Sequence, residues 1–479
     1  MTEHTKLSRS RGKACWILTA LFAATLAVGA ATHGRTTTGL PGLGADPTIR
    51  ASGDGAVSVR GTLDRTAVLA GSDGLVRMEL VLTAGQRGNG MAPQLPTDLL
   101  VVLDRSGSMN GQKIRDARAA IHHLISRLGP DDRFALVTFS SGADIAIPLA
   151  HATPAARSAW SRIVDGIHAG GGTYMSTGLT LGLGSLEAAR TAGRSPRAIV
   201  ISDGLAAEPP DLLRSQAARA AGGEYTLSAV GVGADFDENL MAALADAGTG
   251  NYYYLEDVNE LAEVFGAEFE TARETVASSV AVTIEPGDGI AVVDAAGYPL
   301  ERSGRAATFR PGTLFSGQER HVWVTLRVPT NAEARRELGS VRVQYQDRGE
   351  RHQLTLADFP EIACVREKER FFANLDGDAW AKSVVVEEYN QLRQTVAGMV
   401  KAGYEEEALA EIRRFKDRNR AMNEVVASPS VATQLEEAAD LESDVAGAFR
   451  GPGKKEKQNL LGKSLHAQGT LDRREGSRK

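Results

Sequence analysis

The chain has 479 residues, 42% of them apolar and 24% charged, with a formal net charge of −6. That length is a prior for about three domains, the composition is that of a folded globular protein, and the charge balance gives no footing for a nucleic-acid partner. Two cysteines, Cys15 and Cys364, exclude a disulfide framework. Residues 1–13 carry Lys6, Arg9, Arg11 and Lys13 against Glu3, and an 18-residue apolar run, 14–31, follows. A basic flank before an apolar run is the layout of a secretory signal, here within residues 1–35. Gly29, Ala30 and Ala31 offer cleavage sites, yet the run also reaches the lower limit for a spanning helix. A cleaved leader and a retained membrane anchor are both open. Either one exports the rest of the chain to the cell envelope, periplasm or exterior. Cys15 opens the run rather than closing it, which argues against a lipid-attachment signal. Residues 36–55 read as a linker, rich at first in Thr, Gly and Pro.

Residues 56–63 and 76–83 alternate apolar and polar side chains, as half-buried antiparallel strands do. Two strands are too few for a domain, so their partners are expected later, and 56–95 is read as the first part of a split sandwich. From 96 to 271 the pattern alternates strand and helix. Its first strand, Leu99 to Leu103, is apolar on both faces and ends in Asp104-Arg105-Ser106-Gly107-Ser108. Asp104, Ser106 and Ser108 fall at the strand's C-terminal edge, where open α/β sheets bind ligands. Three oxygen side chains in five residues suit a hard divalent cation; a polar turn capping the next helix is the alternative. Ile114, Ala117, Ile121, Leu124, Ile125 and Leu128 then form a helical stripe. A glycine run, Gly170-Gly171-Gly172, ends in Thr173 just before another helical pattern. A second apolar strand, 198–202, ends in Asp203-Gly204. A flexible loop and an Asp-Gly turn are the plain readings of these two features. Elements of this length in alternation predict a doubly wound, mostly parallel α/β sheet.

In this order, the Asp-x-Ser-x-Ser stretch, the Thr and the second Asp resemble the metal-ion-dependent adhesion site of von Willebrand factor type A (VWA) domains. The resemblance implies a Rossmann-like sheet over 96–271 with one short antiparallel strand. It also implies a complete ligand set of Asp104, Ser106, Ser108, Thr173 and Asp203 for Mg²⁺ (or Mn²⁺ or Ca²⁺). Tyr174 follows the Thr where relatives often carry a polar residue. A central A domain between strand-rich segments resembles bacterial exported proteins, including the calcium-activated chloride channel-like family.

Residues 272–360 turn all-β and are expected to pair with 56–83, so that the A domain is inserted in one sandwich. Residues 366–450 show three helical stripes and read as a small hairpin or bundle. The tail, 451–479, has eight Lys or Arg against three acids and is expected to be disordered. Gly462-Lys463-Ser464 ends like a phosphate loop, but Lys457 stands where its first Gly would be. Asn374 to Asp378 starts like a calcium loop without its later Gly and Glu, and reads as a helix start. Asp235 and Asp237 read as helix caps, with a second cation site as the alternative. Under the resemblance, neutral hydroxyl ligands and partly water-mediated carboxylates leave the cation under-neutralised. An open position then attracts a carboxylate from a partner protein. The expected function is an exported, cation-dependent protein-binding module for adhesion or scaffolding, not an enzyme. The partner is a protein, not nucleic acid, and any membrane association runs through the N-terminal segment. A metal-assisted hydrolase and a scaffold with an idle metal site are the alternatives.

Overall fold

The apolar runs set the layers. In the computed structural model the described residues are 48–52, 55–86, 96–191, 194–203, 205–223, 225–232, 236–255, 260–266, 275–347 and 350–475. The leader expected at 1–35 lies outside them. Strands β1 (Thr48–Ser52), β2 (Val57–Leu63), β3 (Ala67–Leu69) and β4 (Leu75–Ala84) come first. The linker expected over 36–55 therefore gives way at Thr48, where Ile49 and Ala51 pack on a core and β1 pairs antiparallel with β2.

The central layer holds β5 (Thr97–Asp104), β6 (Arg133–Phe139), β7 (Ala143–His151), β8 (Ser195–Ser202), β9 (Thr226–Val232) and β10 (Thr249–Leu255), in spatial order β10-β9-β8-β5-β6-β7. Only the β6–β7 pairing is antiparallel. All eight residues of β5 are buried, because helices cover both faces. Leu99, Val101 and Leu103 join one core with α1 (Gln112–Arg127) and α2 (Pro154–Asp165). Leu100 and Val102 join the other, with α3 (Met175–Ala188), α4 (Pro210–Gly222) and α5 (Glu238–Ala247). Each fully buried aliphatic side chain of that strand stabilises by about 1.5–3 kcal/mol, enough to hold a charged residue at its end. Helix α3 lies unusually close to the sheet. A Cβ on Gly178 would stand 2.9 Å from Phe139, and one on Gly182 would stand 2.8 Å from Leu100. Glycine weakens a helix by about 1 kcal/mol against alanine; here it permits the approach that fixes where α3 begins, just after Thr173.

The strands on either side of this layer share one sandwich. After it come β11 (Thr275–Pro286), β12 (Ala291–Ala295), β13 (Glu301–Ser303), β14 (Ala306–Phe309), β15 (Leu314–Phe315), β16 (Glu319–Arg327), β17 (Arg335–Arg336), β18 (Gly339–Asp347), β19 (Glu350–Leu356) and β20 (Ile362–Val365). One sheet runs β1-β2-β4-β16-β12, and the facing one runs β13-β14-β11-β18-β19 with β15 beside β11. Val59, Met78, Leu80, Val324, Val282 and Val343 meet in the core between them. A small third sheet, β17-β20-β3, carries the buried free thiol of Cys364.

Helices α6 (Lys368–Ala373), α7 (Gly377–Lys382), α8 (Tyr389–Ala402), α9 (Glu405–Val426) and α10 (Pro429–Ala448) follow, with a π-helical turn at Ser383–Glu388 joining α7 to α8. Trp380, Val384, Val396, Ile412, Phe415, Val431 and Val445 form their core. Asp376 caps α7 by accepting from the Ala379 N–H at 2.9 Å, and Asp237 caps α5 by accepting from the Leu240 N–H at 3.1 Å. The tail expected to be disordered is corrected. Lys454–Glu475 is a helix, α11, packed along α8. Gly462 abuts Lys401 and the Ala397 carbonyl, and Gly469 abuts the Asn390 carbonyl and Gln394, so the two helices run antiparallel. Two of its basic residues are buried in ion pairs, Lys463 near Glu238 and Arg473 with Glu387 and Asp294. Among the described residues no helix is long and apolar enough to cross a membrane.

Candidate metal centre

Strand β5 delivers Asp104 to the C-terminal edge of the sheet, beside Phe139 of β6. The side chain is fully buried. Its Oδ1 accepts from the Ser106 backbone N–H at 2.7 Å, and its Oδ2 accepts from the Ser202 hydroxyl at 2.6 Å. Both carboxylate oxygens are thus held before any ligand is considered. The chain then turns through Gly107–Met109, a single 3₁₀ turn, which places Ser106 and Ser108 on one side. Their hydroxyl oxygens lie 3.0 Å apart. Ser108 donates to Oδ1 of Asp203 at 2.7 Å, across 95 residues of sequence. Asp203 is fully buried, and its Oδ2 accepts from the ammonium of Lys113 in the first turn of α1.

Thr173 enters through the backbone. The Gly107 N–H donates to the Gly171 carbonyl at 3.0 Å, and the Gly170 N–H donates to the Arg105 carbonyl at 2.7 Å. Gly171 has φ of +90°, and a Cβ there would stand 2.9 Å from the Ser141 hydroxyl. Glycine is needed on both counts. The Gly172 N–H donates to that same hydroxyl at 2.8 Å. These bonds hold the loop that leads into Thr173, which is half-buried. Direct hydrogen bonds therefore join Asp104, Ser106, Ser108 and Asp203, and backbone bonds tie the Thr173 loop to the same turn.

Burial pushes the Asp104 carboxyl above its ordinary range; the charge of Asp203 adds to this, and the bonds from Ser202 and Ser106 oppose it. Two buried carboxylates face one ammonium here. The donor set, two carboxylates and three hydroxyls short of one positive charge, fits a hard divalent cation. Among the described residues no group of three or more His, Cys, Asp or Glu gathers as a metal site, so this cluster depends on its hydroxyls. It holds no imidazole or thiol. A cleft of about 930 Å³ lies elsewhere, between α4, α5 and the β18–β19 face, and none of the five residues lines it.

Sequence reading missed Ser202 and Lys113. Ser202 sits one position before Asp203, at the end of an apolar strand, and that hydroxyl was the available signal. Lys113 was visible only as a cation five residues after Ser108.

The profile of the von Willebrand factor type A domain matches residues 98–267. Protein sll0103 of Synechocystis is 25% identical over 325 residues, covering 65% of this chain and 75% of that one. YfbK of Escherichia coli is 28% identical over 198 residues, covering 40% of this chain and 34% of its own length. A solved structure titled von Willebrand factor type A from Catenulispora acidiphila superposes with a TM-score of 0.63 at 19% identity, over 88% of this chain and 98% of that one. At that identity the likeness shows the fold.

Proposed function

With residues 98–267 forming a von Willebrand factor type A domain, a module generally used for protein–protein interaction and adhesion, we propose that this chain binds a partner protein through a divalent cation. Asp104, Ser106, Ser108, Thr173 and Asp203 hold the ion, Mg²⁺ or one of its near substitutes Mn²⁺ and Ca²⁺. The observation that carries the reading is the continuous run Asp104, Ser106, Ser108, Asp203 at the sheet's C-terminal edge, with two buried carboxylates against one ammonium. The cation supplies the missing positive charge and a coordination position for a carboxylate of the partner. Lys113 holds one oxygen of Asp203 and Ser202 one oxygen of Asp104, which restrains both carboxylates. The function is binding rather than turnover: the serine–carboxylate pairs, Ser108 with Asp203 and Ser202 with Asp104, are spent on the ligand set of the ion. We extend the proposal to location: the basic flank and apolar run at 1–31 export the chain or anchor it, and a reporter fused after Arg35 is active only outside the cytoplasm.

Titration with Mn²⁺ by calorimetry tests the site. Asp104→Ala weakens binding by at least about tenfold, since a charged partner of the cation is lost, while circular dichroism and the melting curve remain those of a folded protein. Ser106→Ala weakens it less, because the lost ligand is neutral. A wild-type protein that binds neither Mn²⁺ nor Mg²⁺, or an Asp104→Ala protein that binds as the wild type does, refutes the metal reading and leaves the scaffold reading in its place.

A further inference from the structure

The α/β layer and the outward face of the β11–β18–β19 sheet stand apart across a cleft of about 930 Å³, and its two walls are chemically unlike. Clefts between packed units are common ligand sites. The helix wall is made of methyl groups, Ala218 and Ala221 of α4 with Ala243 and Ala247 of α5. The sheet wall is made of amides. Val341, Val343 and Tyr345 of β18 belong to the sandwich core, so the alternation of a strand turns Gln344 and Gln346 to the cleft, beside Gln353 of β19. A polar outer face of this kind is normally wet. Here a helical layer stands over it, and its alanines are too short to reach the glutamines. Both walls also carry a register slip. Strand β11 slips against β18 between Ser278 and Ala281, and β10 slips against β9 between Thr249 and Tyr252. Ser279 and Thr249 take φ of +52° and +57° there, and both line the cleft. Left-handed backbone is strained for residues other than glycine, yet two of the five such residues among those described sit in this one place.

Shape and charge together select the occupant. A second cleft of about 670 Å³ continues the first, sharing Ala243, Asp246 and Pro299, and runs on along α5 to α8 and α11. Helix α5 has ten residues and is about 15 Å long, a span of roughly four or five residues of extended chain. The charges of the first cleft cancel. Asp211 pairs with Arg214 and Glu301 with Arg310; Asp246 and Arg351 bring its lining to three acids and three arginines. An uncharged occupant fits such a lining. Each glutamine amide offers a donor and an acceptor, as each peptide unit does. Gln344 donates to Gln353 at 3.1 Å, which leaves the Gln344 side-chain carbonyl, the Gln353 side-chain N–H groups and the whole Gln346 amide without a protein partner among the described residues. A sugar ring would be held on an aromatic face, but the one phenol ring of the lining, Tyr345, is buried and stacked on His352 at 5.1 Å. We propose that the cleft binds an extended, uncharged stretch of a partner protein, roughly four or five residues with small side chains. Its peptide groups meet the glutamines and its side chains meet the alanines. The inference stands apart from the metal cluster, none of whose five residues lines either cleft.

The test applies the fluorescently labelled full chain to an array of capped pentapeptides. One set holds every combination of Gly, Ala, Ser and Thr, and three further sets carry Asp, Lys or Phe at the centre. Members of the small neutral set bind. Chelator and raised salt leave their signal unchanged, because neither the metal nor a charge is used, and a central Asp, Lys or Phe lowers it. Calorimetry then follows the strongest binder. Ala243→Phe fills the segment common to both clefts and weakens binding at least about tenfold. Gln344→Leu combined with Gln353→Leu, at exposed strand positions, weakens it by about the same factor and keeps the wild-type melting curve, since hydrogen bonds to the ligand are lost without a change in the core. An array without signal, signal confined to the Asp, Lys or Phe sets, or loss of signal with salt or chelator overturns the inference. So does a strongest binder whose affinity both variants leave unchanged. Binding of chitopentaose or cellopentaose that Ala243→Phe abolishes overturns it by giving the cleft to a glycan. A dimer that Ala243→Phe dissociates in sedimentation overturns it by giving the cleft to a second copy.

Discussion

In the cluster proposed to hold a metal, Lys113 is the ammonium that offsets the charge of the fully buried Asp203. It stands about a third exposed, in the first turn of α1. Removing it leaves two buried carboxylates with no cation against them, which costs stability in the metal-free protein. It also removes a repulsion from an incoming divalent ion. Lys113→Met is therefore expected to bind Mn²⁺ about tenfold more tightly, to melt at lower temperature in chelator, and to recover its wild-type melting temperature when metal is added. Calorimetry and paired melts check this, and a variant with unchanged metal affinity would show that the ammonium and the ion do not share one field. The residues that were legible in the sequence have a common cause. Asp104 and Asp203 end apolar runs, and Ser106 and Ser108 follow at alternate positions, so each breaks a pattern. Ser202 and Lys113 break none: a serine closing a strand and a lysine opening a helix occur everywhere, and their roles come only from partners far away in the chain.

At the level of elements, the least legible piece is α11. Its basic composition suggested a solvated tail. Its buried face instead uses Gly462, Gly469 and Thr470 against α8 and Ala467 against the α/β layer, with Lys463 and Arg473 neutralised by acids from distant segments. No periodic apolar stripe announces such a face. Arg473 is 2% exposed and pairs with Glu387 of the π-helical turn and Asp294 of β12. Arg473→Ala strands a buried carboxylate and should destabilise by about 3–5 kcal/mol. Arg473→Met combined with Glu387→Leu should recover much of that loss. Urea unfolding measures both, and a near-neutral single variant would mean that α11 is not docked through this pair. The adjacent Glu388, paired with Arg77 and Arg418, gives the fold's stability a pH dependence. Burial works against its charged form, but the guanidinium groups of Arg77 at 2.7 Å and Arg418 at 2.9 Å outweigh that and hold its carboxyl below the ordinary glutamate value. A carboxyl whose pKa is lower in the folded than in the unfolded chain binds its proton less readily when folded. Its stabilisation is complete above the unfolded value and is lost as the pH falls through the folded one. Stability should thus drop on acidification, and Glu388→Gln should flatten that acid limb of the melting curve while lowering stability near neutral pH. An acid limb of unchanged steepness in the variant would assign it to other groups.

For the molecule as a whole, the decisive feature is that the α/β layer interrupts a sandwich. The strands before it were legible because β2 and β4 alternate clearly and have no partner near them in sequence. Their register was not legible, since it depends on β16, more than 230 residues later. Strand β4 pairs with β16 at nine positions, from Leu75 with Arg327 to Thr83 with Glu319. Without β1, β2 and β4, the β16 edge is unpaired and Val322, Val324 and Leu326 lose Leu80, Met78 and Val76 beside them in the core. Such an edge is a template for aggregation. The inserted layer differs: its sheet is bounded by its own strands β10 and β7, and both faces are covered by its own helices, with Ala467 of α11, among the described residues, the one outside contributor to the two clusters. A fragment of residues 96–271 is therefore expected to be monomeric and to melt cooperatively. A fragment of residues 276–358 is expected to aggregate, and joining residues 48–86 to it through a flexible linker should restore a monomer with a cooperative transition. Size-exclusion chromatography and thermal melts decide between the outcomes. A monomeric 276–358 fragment that melts cooperatively without the earlier strands would show that β16 does not need β4. The layer would then be a neighbour of the sandwich rather than an insertion that the sandwich must fold around.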